Sequence, residues 1–192
     1  MRLTSLAVAT FLLGVSASPV RAQGFKRGFE VGAGMSTTSP TPAGETNSYG
    51  PGLLAGLYGS VQLFKPVGVQ LEAIYVQKHS KATAKGVESE VRLDYFEIPI
   101  LAKLSLFKGV YILEGIEFGF PVKANVRAPS GADTNIKDTT TNPDIGLIIG
   151  VVVPAGRIGL EGRYESGFKT IDSTGVAVVR NRSLFFVVRV PF

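Results

Sequence analysis

Alternation of apolar and polar side chains at a period of two, repeated in segment after segment, constrains this chain more than any other feature. Over residues 67–78, Val67, Val69, Leu71, Ala73 and Tyr75 oppose Gly68, Gln70, Glu72 and, less neatly, Ile74 and Val76. Successive side chains of a strand point to opposite faces, so this pattern gives a strand one apolar face. The same period recurs over 26–36, where Phe29, Val31, Ala33 and Met35 oppose Gly28, Glu30, Gly32 and Gly34. It returns over 52–64, 91–104, 110–122, 143–153, 157–169 and 183–192, which makes eight expected strands.

The connections alternate in length. Those at 37–51, 123–142 and 170–181 are long and rich in turn-forming residues such as Ser, Thr and Gly, that at 79–90 is a long polar stretch, and those at 65–66, 105–109 and 154–156 are tight. Short turns at one end and longer loops at the other are the habit of membrane barrels, and an even strand count lets the last strand pair antiparallel with the first. Charged residues make up 18% of the chain, below the ~25% of an ordinary soluble domain, and apolar residues 45%. Yet beyond Ala22 no apolar run approaches the ~20 residues of a spanning helix, since the best, 145–153, is broken by Gly146 and Gly150. A chain that enters a bilayer without such a helix satisfies its backbone only as a closed barrel. The expected fold is therefore all-β, an eight-stranded antiparallel up-and-down transmembrane β-barrel.

The first residues read differently. Arg2, the apolar stretch 6–15 and Val20-Arg21-Ala22 form a secretory leader pattern, so residues 1–22 are expected to be removed and 23–192 to form the barrel domain. The leader carries two Arg and no acid, leaving 18 basic against 15 acidic residues. These are scattered singly, which gives no nucleic-acid footprint. Without cysteine and with a single histidine, the chain offers no disulfide and no transition-metal set; no catalytic residue, metal ligand or cofactor is expected.

The last ten residues place Leu184, Phe186, Val188, Val190 and Phe192 on one wholly apolar face. This pattern resembles the closing strand of bacterial outer-membrane barrels, and Phe186, Val188, Val190 and Phe192 are expected to serve as the signal read by the barrel-insertion machinery. Leu93-Asp94-Tyr95-Phe96-Glu97-Ile98-Pro99-Ile100-Leu101-Ala102-Lys103 resembles the Tyr-Leu-Glu-Ile-Pro-Leu-Leu segment of the PorT-like outer-membrane β-barrel family. The Gly-punctuated segments 113–119 and 144–150 resemble that family's next strands. The resemblance implies an eight-stranded barrel in the bacterial outer membrane and carries over no catalytic residue.

Parity assigns Glu30, Glu72, Glu117, Glu161, Arg163, Glu165 and Arg189 to the inward faces, where an eight-stranded barrel has room only for side chains. They are expected to pair and leave no pore. Glu114 falls on the apolar face, and Pro99 predicts a bulge near 97–99. The expected role is structural or surface-interacting, through the long extracellular loops. Expected partners are outer-membrane lipid, lipopolysaccharide and an extracellular protein or surface ligand. Two other readings use the same residues. His79 beside Ser80, with Glu88 and Glu90, suggests a lipid-modifying enzyme; a soluble periplasmic lipocalin-like ligand binder would turn the apolar faces inward.

Overall fold

The structure, a computed structural model, describes residues 23–39, 44–173 and 179–192, so the expected leader lies outside the described residues. The strands are β1 (Gln23–Ser39), β2 (Glu45–Phe64), β3 (Val67–Ala84), β4 (Val87–Ser105), β5 (Tyr111–Arg127), a short β6 (Asp133–Asn135), β7 (Asp144–Ala155), β8 (Ile158–Gly167) and β9 (Arg180–Pro191). Each long strand pairs antiparallel with its neighbour, and β9 returns to β1. Eight strands thus close a ring, with β6 appended to the far end of β5. Closure leaves the ring no unpaired edge.

The period-two pattern decides which way each strand faces. Phe29, Val31, Leu53, Leu57, Leu71, Tyr75, Phe96, Ile100, Ile116, Phe120, Ile149, Val151, Leu184, Phe186 and Val190 all stand exposed on the outer wall. Their strand neighbours Glu30, Leu54, Tyr58, Glu72, Ile74, Glu97, Leu101, Glu117, Ile148, Phe185 and Arg189 are buried inside. A lipocalin has the opposite arrangement, so the soluble reading is overturned by the direction of the apolar face. Tyr75, Phe96 and Phe120 are register partners in a row on the outside, toward the long connections. Phe29 and Phe192 stack toward the tight turns, with ring centroids 4.7 Å apart. Glu114, between Ala102 and Ile149, is also exposed on the outer wall, three residues past the start of β5.

Several strands run past their expected ends. The stretch 79–90, read as a polar loop, is a continuous hairpin in which Ala84 pairs with Val87 across Lys85 and Gly86. Both turn residues have positive φ, 51° and 79°, the geometry of a tight hairpin turn that glycine tolerates best. Beyond the apolar belt the outer face of these strands is polar, with His79, Lys81, Glu88, Glu90 and Arg92, while Val91 packs against the inner apolar cluster, so backbone pairing continues where the apolar outer face has stopped. The expected loop 123–142 likewise contains the end of β5, then β6 and a single 3-10 turn (Lys137–Thr139).

The bulge lies elsewhere than expected. The register of β4 against β3 is unbroken past Pro99, whose missing N–H only interrupts the ladder between Leu71–Ile100 and Ile74–Glu97. The shift comes between Asp94 and Tyr95, where β5 supplies the extra residue Val122. Leu93, Tyr95, Glu97, Pro99 and Leu101 consequently share the inner face without interruption.

Candidate functional site: the charged barrel interior

The interior holds two ionic groups among apolar side chains. In the first, β1 and β9 close the ring with Glu30 directly opposite Arg189. The Arg189 guanidinium lies 2.9 Å from Glu30, 2.6 Å from Glu72 and, through Nε, 2.5 Å from Glu161. Arg163 donates from Nε to Glu161 at 2.8 Å and from Nη2 to Glu72 at 3.0 Å. Gln70 Nε2 donates to Glu72 at 2.5 Å. Two guanidiniums thus stand among three carboxylates, and Arg163 and Glu161 are wholly inaccessible to solvent. Burying isolated charges costs several kcal/mol each, whereas a paired and hydrogen-bonded set is tolerated.

The second group centres on Lys78. Its Nζ lies 2.7 Å from Glu97, 2.9 Å from Glu165 and 3.1 Å from Glu117. Oxygens of these three carboxylates fall within 4.8 Å of one another, as metal ligands would, but the ammonium stands among them. Nearby, Asn181 Nδ2 donates to Asp144 at 3.0 Å and to the Tyr95 hydroxyl at 3.3 Å. Arg163 Nη1, 4.0 Å from Glu165, joins the two groups.

The structure thus gathers Glu30, Glu72, Glu161, Arg163 and Arg189 in one group and Glu117 and Glu165 in the other. Sequence reasoning missed Lys78 and Glu97. Lys78 stands at the end of its expected strand, and the bulge expected at 97–99 hides the inward parity of Glu97; counting from Glu72 finds the first, since positions 72, 74, 76 and 78 share a face. Glycines make the space. A Cβ on Gly146 would sit 2.5 Å from Glu117 Oε1, and one on Gly150 the same distance from Glu161 Oε1.

Toward the long connections the charged groups are capped by a layer including Leu54, Val76, Leu93, Tyr95, Phe185, Val187 and Ile171, the last from the connection between β8 and β9. On the outer wall, His79 Nε2 lies 3.1 Å from Asp94, which also accepts 2.8 Å from the Tyr75 hydroxyl. Ser80 is buried on the opposite face, Glu88 pairs with Lys81, and Glu90 pairs with Arg92. The His79–Ser80–acid set is therefore not assembled, because adjacent residues of one strand face opposite ways.

Phe186 and Val190 stand exposed on the outer face of β9, with Val188 half-buried among them. Phe192 is 61% exposed, with the Arg27 guanidinium 5.3 Å from its ring centroid.

A family model described as outer membrane protein beta-barrel domain matches residues 18–173. No curated protein sequence matches the chain significantly. Among solved structures, the chain is similar to Neisserial surface protein A (NspA), at 17% identity and a TM-score of 0.58, over 89% of this chain and 99% of that one. Ail, the attachment invasion locus protein of Yersinia pestis, solved with the heparin analogue sucrose octasulfate, is 12% identical over 88% of this chain and 100% of that one, with a TM-score of 0.49. OprG from Pseudomonas aeruginosa is 10% identical over 87% and 91%, with a TM-score of 0.44.

Proposed function

Because this chain belongs to the outer membrane protein beta-barrel domain family, and so resides in the bacterial outer membrane, we propose that it acts there as a closed barrel. Its role in this reading is structural and surface-interacting, and its working part is the polar sheet carried above the apolar belt. One observation carries this: β3 and β4 stay paired residue by residue from His79–Arg92 to Ala84–Val87. A ligand meets a pre-ordered sheet there, which lowers the entropy lost on binding. Within the family we place the chain with the PorT-like barrels, on the segment 93–103.

Expected partners follow from position. Arg180 and Arg182 on β9 and Lys123 on β5 are exposed where the outer wall turns polar, at the height suited to lipopolysaccharide phosphates. Phe186, Val188, Val190 and Phe192 form the strip offered to the insertion machinery. The test is a cysteine at Lys85 in a chain otherwise free of cysteine, probed on intact cells with a membrane-impermeant maleimide. Labelling of Lys85→Cys without labelling of Lys65→Cys, in the opposite turn, is expected; the reverse pattern would put the hairpin in the periplasm and end the surface reading.

A further inference from the structure

The mouth at the tight-turn end is chemically unlike the rest of the interior. It opens into a cavity of about 570 Å³, whose polar lining includes Lys26 of β1, Tyr58 of β2, Lys103 of β4, Tyr111 of β5, Arg157 of the turn between β7 and β8, and Arg189 of β9. Among the described residues, no aspartate or glutamate lines it. Of the carboxylates next deeper in the barrel, Glu30, Glu72 and Glu161 are already engaged by Arg163 and Arg189. Among the described residues, Lys26, Lys103 and Arg157 form no ion pair. Lys103 is half-buried, its Nζ 4.1 Å from the Tyr111 ring centroid, and Arg189 lies 5.0 Å from the ring of Tyr58.

Surface lysines need no partner, because water screens them. Lys103 differs, since it is half-buried in the recess, with buried Arg189 at the floor and the exposed Lys26 and Arg157 at the rim. Like charges in such a place repel more strongly than in bulk water, and the aromatic faces offset only part of that cost. Two phenols supply donors and the lysines supply mobile ammoniums, the groups that recognise carboxylate or phosphate oxygens.

We propose that this recess is an anion site for a small carboxylate- or phosphate-bearing group. With the long connections outside the cell, the recess opens to the periplasm. The site lies at the opposite mouth from the surface sheet; its anion chemistry does not depend on that sheet's role, and only its periplasmic address rests on the orientation proposed above. It is a blind pocket, because Arg189 and the ionic group behind it form its floor.

The test uses the full barrel refolded into nanodiscs of phosphatidylcholine alone, with its lysines reductively dimethylated with a carbon-13 label, which preserves their charge. Inorganic phosphate and succinate are titrated in separately at low ionic strength. Saturable one-site shifts of the Lys103 and Lys26 signals are expected. Affinity should fall about tenfold in Lys103→Gln or Lys26→Gln, the scale of one charge-assisted hydrogen bond, and stay unchanged in Lys85→Gln. Heat-modifiable gel mobility confirms that each variant is folded. Adding phosphatidylglycerol to the discs distinguishes the sources. Loss of the succinate and phosphate shifts would identify a lipid headgroup as occupant, and their persistence a soluble anion. The proposal is overturned if neither anion gives a saturable shift, if Lys85 shifts in parallel with Lys103, or if an equal concentration of chloride abolishes the effect.

Discussion

Arg189 shows what a single residue does in this barrel. It reaches Glu30, Glu72 and Glu161 from one guanidinium, so its loss strips a charge partner from three buried carboxylates at once. Arg189→Leu is expected to cost on the order of 3 kcal/mol, the scale for breaking a buried pair. Lys85→Leu, at an exposed hairpin tip, should cost almost nothing. Urea unfolding in detergent, followed by the gel shift of the folded barrel, compares them, and equal midpoints would remove any stabilising role for the first ionic group. Lys78 poses the same question in the second group, where one ammonium faces three carboxylates. Lys78→Met leaves Glu97 and Glu117 uncompensated and Glu165 with only Arg163 at 4.0 Å, and is expected to destabilise by a similar ~3 kcal/mol. Adding Glu97→Gln, Glu117→Gln and Glu165→Gln in the same chain removes the charges that needed the lysine and should recover most of that loss. A quadruple variant no more stable than Lys78→Met would show that Lys78 acts through packing alone.

At the scale of the element, the strands have two parts built on different grounds. Within the apolar belt a strand is held by its ladder and by side chains that suit lipid outside and the packed interior inside. Above it, the β3–β4 extension is held by its ladder, its turn and ion pairs such as Lys81–Glu88 at 2.9 Å. An exposed pair of that kind contributes little. Trimming 79–90 to a two-residue Asn-Gly turn should therefore leave a barrel that still inserts and still shifts on unheated gels, while removing the surface sheet. Failure of that variant to insert would mean that the extension nucleates the barrel rather than standing on it. The same division explains what the sequence disclosed. Phe29-x-Val31-x-Ala33-x-Met35 and its counterparts located every belt strand, because lipid on one side and a filled interior on the other enforce alternation. Past the belt, Lys81, Thr83 and Glu88 carry no such signal, and only the structure reveals the pairing there, with the Lys85-Gly86 turn joining two continuous strands. The inward charges were legible by parity, except where a wrongly placed bulge suppressed Glu97.

For the whole molecule, the dimensions agree with a membrane span. The outward series on β2 runs from Leu53 to Leu63, ten residue steps. At ~3.4 Å per residue and a strand tilt of roughly 40°, that is ~26 Å along the barrel axis, close to the ~25 Å apolar band of outer-membrane barrels. Inside, an eight-stranded ring is only wide enough for side chains to fill. The two guanidiniums, the Lys78 ammonium and their carboxylates reach across from β1, β3, β4, β5, β8 and β9, with the layer around Leu54 and Phe185 above them. For an ion to pass, several of these contacts would have to break together, each leaving a charge unpaired away from water, at a cost of several kcal/mol. In the closed-lumen reading we propose, openings are therefore rare and no stable conducting state forms. Planar-bilayer recording of the purified barrel is expected to show a silent membrane at moderate voltage. Arg189→Ala, which removes the side chain flooring the basic recess, should be the variant most prone to brief current steps. A steady, ion-selective conductance from the unmodified chain would overturn the closed interior, and with it the assignment of function to the surface sheet rather than to the lumen.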